Sequence, residues 1–345
     1  MALDTQKFLS IGPSVIYGLF VLTVPGLFAQ YPNDALMSFS YLLLVPMIIG
    51  YIHIHFECRR HQPSYRQAIL PPWLSILTLS LCVSFGGLEK GLSVLLVLPA
   101  FLVSASLGGL FAVFFQRNLP ERVEHSPLLL IFLPLVIAPI ESHFFQFERE
   151  YEIKTVLVSQ ATPDQIWNEA VNIGSISEDE LPLSLAHLMS FPVPVAASMN
   201  TQGKGAIQTE FWQNGLIVHG VINRWEPPHH LAYEFNISQE LIPDTALHRL
   251  LKSHIVPKET GYDIRENARG QTEITLSTQV HDATPFGLYS RAWVEILVGD
   301  LHYALLYIIR NRAQTIEKER LPEIADIAER LGYLEYIRPI PIIVT

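Results

Sequence analysis

Cysteine is scarce: Cys58 and Cys82 are the only two in 345 residues, and both lie in or beside apolar runs. Neither a disulfide framework nor a thiolate metal site can be assembled from them. Charge is scarce as well, at 16% of residues, and acidic in balance, which leaves a net charge of −10. With no basic stripe along the chain, this excludes the electrostatic footprint of a nucleic-acid-binding protein. Also missing are a G-x-S-x-G nucleophile elbow, a phosphate-cradling glycine loop and a dinucleotide fingerprint, and with them the classes that depend on those motifs. The sequence calls for no cofactor and no metal.

Apolar residues are what the chain has in quantity: 49% are hydrophobic, and the mean hydropathy is +0.27. That is high for a soluble chain of this length and predicts a membrane portion. The apolar residues gather before about residue 147 and most of the charge follows it, which divides the chain into a multi-pass region (1–147), a polar domain (148–318) and a tail (319–345). Five apolar segments can be drawn, at about 8–28, 36–56, 70–88, 92–115 and 127–146. A span needs about 20 mostly apolar residues. Four segments meet this, while Glu141 and His143 interrupt the fifth. The first run lacks a small-residue cleavage site and reads as a retained span. Lys7, then Arg59, Arg60 and Arg66, then Arg117 and Arg122 fall in alternate connections, so the N-terminus is expected in the cytoplasm, of a bacterial inner membrane. Five spans put the polar domain outside the cytoplasm; four keep it inside.

Within the spans, His53, Glu57 and His61 share one helical face, a spacing that can hold a metal but also suits interfacial polarity, the reading preferred here. Ser104-x-x-x-Gly108 and Ala105-x-x-x-Gly109 suit close helix packing.

The polar domain opens on a strand over 151–158, followed by a helix capped by Thr162 with Pro163 at its first position. Residues 174–200 read as a short helix or two with a loop. Strands follow over 203–212, 216–225, 231–238, 262–266 and 273–280, with 241–255 an irregular or helical crossing. Residues 286–318 then form one long helix, with Thr284 as its cap and a stripe of Trp293, Leu297, Leu301, Ala304 and Ile308. A separate short amphipathic helix carries Ile324, Ile327, Ala328 and Leu331. The fold class is thus an α-helical membrane bundle of about five spans joined to an α+β domain, with a curved antiparallel sheet around a long C-terminal helix.

Val156-Leu157-Val158, Ala161 through Trp167, Gly203-Lys204-Gly205, Phe211 through Gly215, Trp225 through Leu231 and Tyr289 through Gly299 occur in an order and spacing that resembles the START, polyketide-cyclase and birch-pollen-allergen (SRPBCC) superfamily, the helix-grip fold. The likeness covers about half the chain, from about 150 to 316. It implies a cavity between sheet and helix that takes a hydrophobic molecule or lipid, and it does not name a ligand or reaction. Trp212, Trp225, Tyr233, Trp293, Leu297 and Tyr303 are the expected wall. The partners expected are such a ligand and the bilayer itself; protein partners are left open. The alternatives are a sensory or interaction protein with a ligand-reporting domain and, further off, a cyclase or dehydratase-like enzyme. Catalysis would fall to His219, His302 or Glu210, placed on strands and on the long helix.

Overall fold

The computed structural model describes residues 5–27, 40–59, 62–86, 91–118, 132–134, 136–137, 140–141, 148–171, 173–189, 191–213, 217–236, 254–284 and 287–330. Four helices dominate the N-terminal part: α1 (Thr5–Leu27), α2 (Val45–Cys58, entered through a π-helical turn at Ser40–Leu44), α3 (Pro71–Phe85) and α4 (Leu98–Asn118). Pro46 and the pair Pro71-Pro72 sit in the first turns of α2 and α3, where a missing N–H leaves no bond broken. Helices α2 and α4 pack backbone to backbone. A Cβ on Gly50 would lie 2.0 Å from the Ala105 carbonyl oxygen, and one on Gly108 would lie 1.7 Å from that of Met47. The small-residue spacing therefore marks the principal contact of the bundle.

A polar chain runs through the bundle's buried centre. Ser14 Oγ lies 2.7 Å from Ser75 Oγ, which lies 2.7 Å from His53 Nδ1, and His53 Nε2 is 3.6 Å from Glu57. His53 is thus engaged by a serine and a carboxylate, while His61 lies outside the described residues. Most of the fifth segment does too, but Glu141 is buried and accepts bonds at 2.9 Å from both the backbone N–H and the hydroxyl of Ser40.

The C-terminal part carries one eight-stranded antiparallel sheet. Its strands are β1 (Arg149–Ser159), β2 (Gly174–Ser175), β3 (Pro194–Met199), β4 (Ile207–Trp212), β5 (Ile217–Glu226), β6 (His230–Asn236), β7 (Ile255–Glu266) and β8 (Thr272–Asp282), in the order β1-β8-β7-β6-β5-β4-β3-β2. Helix α5 (Pro163–Val171), the short α6 (Leu185–Leu188) and the long α7 (Gly287–Arg330) complete it. The local chemistry matches these elements. Thr162 and Gln165 form a reciprocal capping box, with Thr162 N–H donating to Gln165 Oε1 at 2.8 Å. Asn267 Oδ1 accepts from the N–H groups of Arg269 and Gln271, and Gly270 supplies the φ of +72° that closes the β7–β8 turn. The Pro227–Pro228 peptide between β5 and β6 is cis.

Three readings are corrected. The stretch 174–200 includes two strands, β2 and β3, besides its short helices, because β3 finds a partner in β4 that its Pro-Val-Ala-Ala-Ser-Met sequence does not advertise. The strand expected from 203 begins at Ile207, after a turn in which Gly203 and Gly205 have φ of +121° and +86°. The tail helix is no separate element: α7 runs unbroken to Arg330. The 241–255 crossing lies outside the described residues up to 253.

Helix α7 is apolar on two faces. One lies against the sheet, where Val294 packs with Ile153 and Val280, and Leu306, Ile308, Ile309 and Ala313 join the core built on α5 and β5–β8. The other bears Trp293, Leu297 and Leu301, which pack on Ala186 and Met189 of the α6 segment and on Leu96, just before α4. Tyr289 Oη donates to the Leu96 carbonyl, which ties the domain to the helical bundle. Among the described residues, four helical stretches are long and apolar enough to cross a membrane: Ser40–Cys58, Arg66–Phe85, Leu98–Asn118 and Gly287–Thr315. The last owes its hydropathy to its two packed faces and is the helix gripped by the sheet.

Candidate ligand site

The inner face of the sheet is layered. At the end away from Arg149, Ile264 pairs with Ile274 and Ile274 with Leu157, and Trp167 of α5 meets Trp225 edge to face at a centroid distance of 5.1 Å. This half is a filled aliphatic and aromatic core. Nearer the middle, one cross-strand row changes character: Tyr233 pairs with Thr260 and Thr260 with Thr278, flanked by Ile222 and Ile153. All of these are buried.

The row forms a ladder of two hydrogen-bonded groups, joined by the strand pairing of Tyr233 with Thr260. Thr260 Oγ1 and Thr278 Oγ1 are 2.7 Å apart, and Thr278 Oγ1 lies 2.8 Å from Nε2 of His302 on α7. The other imidazole nitrogen is 3.4 Å from Thr155 Oγ1. At the opposite end, Tyr233 Oη donates to Glu210 Oε1 at 2.6 Å, and Trp212 Nε1 donates to Glu210 Oε2 at 3.1 Å. Alternation along the strands puts these side chains inside, since β4 turns Gln208 and Glu210 inward, and β8 turns Thr272, Ile274, Leu276, Thr278 and Val280 inward.

Burial governs the electrostatics. It lowers His302 to about 4 and raises Glu210 above the usual carboxylate range, against the pull of its two hydrogen-bond donors. Tyr233 is pushed well above its ordinary value by burial and by the neighbouring Glu210. Both the acid and the base are therefore driven toward their neutral forms.

The expected wall residues divide. Tyr233 and Trp212 belong to the ladder, Trp225 belongs to the filled core, and Trp293 and Leu297 pack on α6 and Leu96. Tyr303 is exposed, with its ring 6.1 Å from that of Tyr307. Of the catalytic candidates, His302 and Glu210 are inside. His219 is exposed on the outer face, with Nδ1 3.1 Å from Thr209 Oγ1. Thr260 and Thr278 escaped the sequence reading, although Thr278 interrupts the inward aliphatic run of Ile274, Leu276 and Val280 on β8 and was detectable by that break.

A cleft of about 660 Å³ opens on the outer side of the sheet beside Lys204, Asn223, Arg224, Glu259 and Asp263. Its charged groups largely satisfy one another: His230 meets Asp263 at 2.8 Å, Arg224 meets Glu226 at 3.1 Å, and Asn223 donates to Glu259 at 2.7 Å. Among the described residues, no three His, Cys, Asp or Glu side chains converge to hold a metal ion.

No family model matches the chain, and no curated protein matches it. Solved structures resemble it distantly. A protein of unknown function from Staphylococcus aureus aligns over 50% of this chain and 98% of its own, at 7% identity and a TM-score of 0.34. A point mutant of norcoclaurine synthase from Thalictrum aligns over 50% and 98%, at 13% identity and 0.32. The di-domain ARO/CYC protein BexL of the BE-7585A biosynthetic pathway aligns over 61% and 56%, at 12% identity and 0.30. Scores this low assign neither ligand nor activity to the chain.

Proposed function

We propose that the chain is a membrane-held binding protein whose C-terminal domain takes up an uncharged hydrophobic molecule, of lipid or isoprenoid kind, between the sheet and α7. The observation that carries this reading is the polar ladder from Glu210 through Tyr233, Thr260 and Thr278 to His302, set in an apolar interior. A fold that needs only a packed interior fills it with aliphatic and aromatic groups, as the far half of this domain does. Buried hydroxyls and imidazoles cost free energy unless they are bonded. A pocket with an apolar lining and a few fixed polar groups is how small-molecule sites orient an apolar ligand. Because both ionisable groups are driven toward neutrality, the ladder suits a ligand with one neutral polar group and offers no counter-charge to an ionised one.

The apolar helices α2, α3 and α4 supply the membrane arm of the reading, and β1 begins at Arg149 with little chain between it and the last apolar segment. So short a tether holds the domain at high effective concentration beside the bilayer. An acid–base mechanism gains less support, since Glu210 and His302 stand at opposite ends of the ladder and each is committed to its own partners.

The test is to purify the full chain in mild detergent and identify the retained apolar compounds by mass spectrometry. A stoichiometric species is expected, and a folded Thr278→Phe variant, which fills the middle of the ladder, should lose it. A wild-type chain that retains nothing and takes up nothing from vesicles would rule the reading out.

A further inference from the structure

Helices α2 and α4 run side by side in the same direction: Gly50 lies against Ala105, and Ile54 against Gly109. Gln116 Nε2 donates to the Cys58 carbonyl at 3.3 Å, and Arg117 Nη2 donates to that of Pro63 at 3.0 Å. Asn118 and Cys58 therefore mark one end of the bundle, while Ser40 and Leu98 mark the other. At 21 residues, α4 separates the two ends by about 30 Å, the thickness of a bilayer's hydrocarbon core. The chain leaves α4 at the Asn118 end. By Glu141 it is bonded to Ser40, at the opposite end. There the domain also meets the bundle, through Tyr289, Trp293 and Leu297 against Leu96. Between Asn118 and Glu141 the chain thus passes from one end of the bundle to the other.

The domain's own geometry agrees. Arg149 pairs with Asp282 and Asp282 with Ile255, so the start of β1, the end of β8 and the start of β7 share one end of the sheet, next to Gly287, where α7 begins. The β7–β8 turn around Arg269 is at the far end. At the bundle end, large apolar side chains stand in the open: Leu288 is 91% exposed, and Leu188 and Ile296 are also exposed. Across the contact at Leu96, the end of α3 does the same, with Phe85 87% exposed.

We propose that this apolar rim is a bilayer-contacting surface: the chain crosses the membrane between Asn118 and Glu141, and the domain rests on the membrane face at the Ser40–Leu96 end, with Leu188 and Leu288 seated at the boundary of headgroups and acyl chains. A set of exposed leucines beside an apolar belt matches lipid, because hydrocarbon contact is what both surfaces lack in water. Arg59, Arg66 and Arg117 lie at the other end of the bundle, so the domain faces away from the cytoplasm. The inference rests on the membrane-held part of the proposed function and is independent of any ligand.

The test uses the full chain with Cys58→Ala and Cys82→Ser, carrying single cysteines in place of Leu188, Leu288, Arg269 or Arg59. In spheroplasts of a bacterial host, a membrane-impermeant maleimide should label Arg269→Cys from outside and Arg59→Cys only after permeabilisation. In phosphatidylcholine vesicles, a fluorophore on Leu188→Cys or Leu288→Cys should lose most of its emission to shallow doxyl lipid and little to iodide, with the reverse at Arg269→Cys. Labelling of Arg269 and Arg59 from the same side overturns the crossing. Quenching at the leucines by iodide, or by neither agent, overturns the bilayer seat, the second result meaning that protein covers them. A chain that carbonate washes from the membrane refutes membrane anchoring itself, and this inference with it.

Discussion

His302 should make this protein acid-sensitive by an amount that can be worked out. The imidazole is 4% exposed, sits over Thr278 with no anionic neighbour in hydrogen-bond contact, and is lowered by burial from 6.5 to about 4. Between those values, the unfolded chain binds a proton at this site and the folded chain does not. Stability contributed here is therefore intact above about 6.5 and falls as the pH drops to about 4, by about 3 kcal/mol in all. His302→Gln keeps a side chain able to bond Thr278 and removes the titration. Unfolding of the full chain by urea in non-ionic micelles can be followed by tryptophan fluorescence, since Trp167, Trp212, Trp225 and Trp293 all lie in the C-terminal part. The stability difference between wild type and variant should narrow by about 3 kcal/mol between pH 7 and pH 4. Curves that stay parallel across that range would refute the buried, neutral imidazole.

Tyr233→Phe removes one of the two donors to Glu210 and should cost about 1–3 kcal/mol, with Glu210 titrating higher still in a carboxylate-resolved NMR or infrared titration. Gly108→Leu puts a branched side chain where even a Cβ would lie 1.7 Å from the Met47 carbonyl, so detergent-extracted variant should elute as aggregate in size-exclusion chromatography. Arg312→Met removes the pair with Glu180 at 2.7 Å and the bond to the Ser175 carbonyl at 2.7 Å. Because this pair is partly solvated, the expected loss is about 1–2 kcal/mol near neutral pH. It should shrink as pH falls from 4.5 toward about 2 and Glu180 takes up a proton. Trp167→Ala, at the filled end of the core, should cost about 3–5 kcal/mol by urea unfolding.

The long helix was legible because residues 287–318 repeat their apolar positions at helical spacing over many turns. Which face meets the sheet was not legible, because α7 carries two apolar faces. Of the expected gripping stripe, Trp293, Leu297 and Leu301 meet α6 and Leu96 and Ile308 joins the sheet-side core, while Val294 and His302 face the strands. Alternation and turn chemistry marked β5, β6 and β8, whereas β3 owes its conformation to pairing with β4, which no local pattern of Pro, Ala and Ser encodes. Half of the ladder was within reach: Tyr233, Glu210 and His302 could be named, but His302 meets Thr278 and Thr155 from strands more than a hundred residues apart along the chain, a juxtaposition set only by the register of the sheet. His219 shows the converse, since an imidazole on a strand has an even chance of facing outward, and this one does.

The central claim, an apolar ligand held between the sheet and α7, is tested most directly by photocrosslinking. The full chain in phosphatidylcholine vesicles would be incubated with a diazirine-bearing fatty alcohol, irradiated, digested and mapped by mass spectrometry. The account predicts adducts on peptides bearing Thr278, Thr260 or His302, suppressed in the Thr278→Phe variant. Adducts confined to α1–α4, with those peptides unmodified, would contradict it.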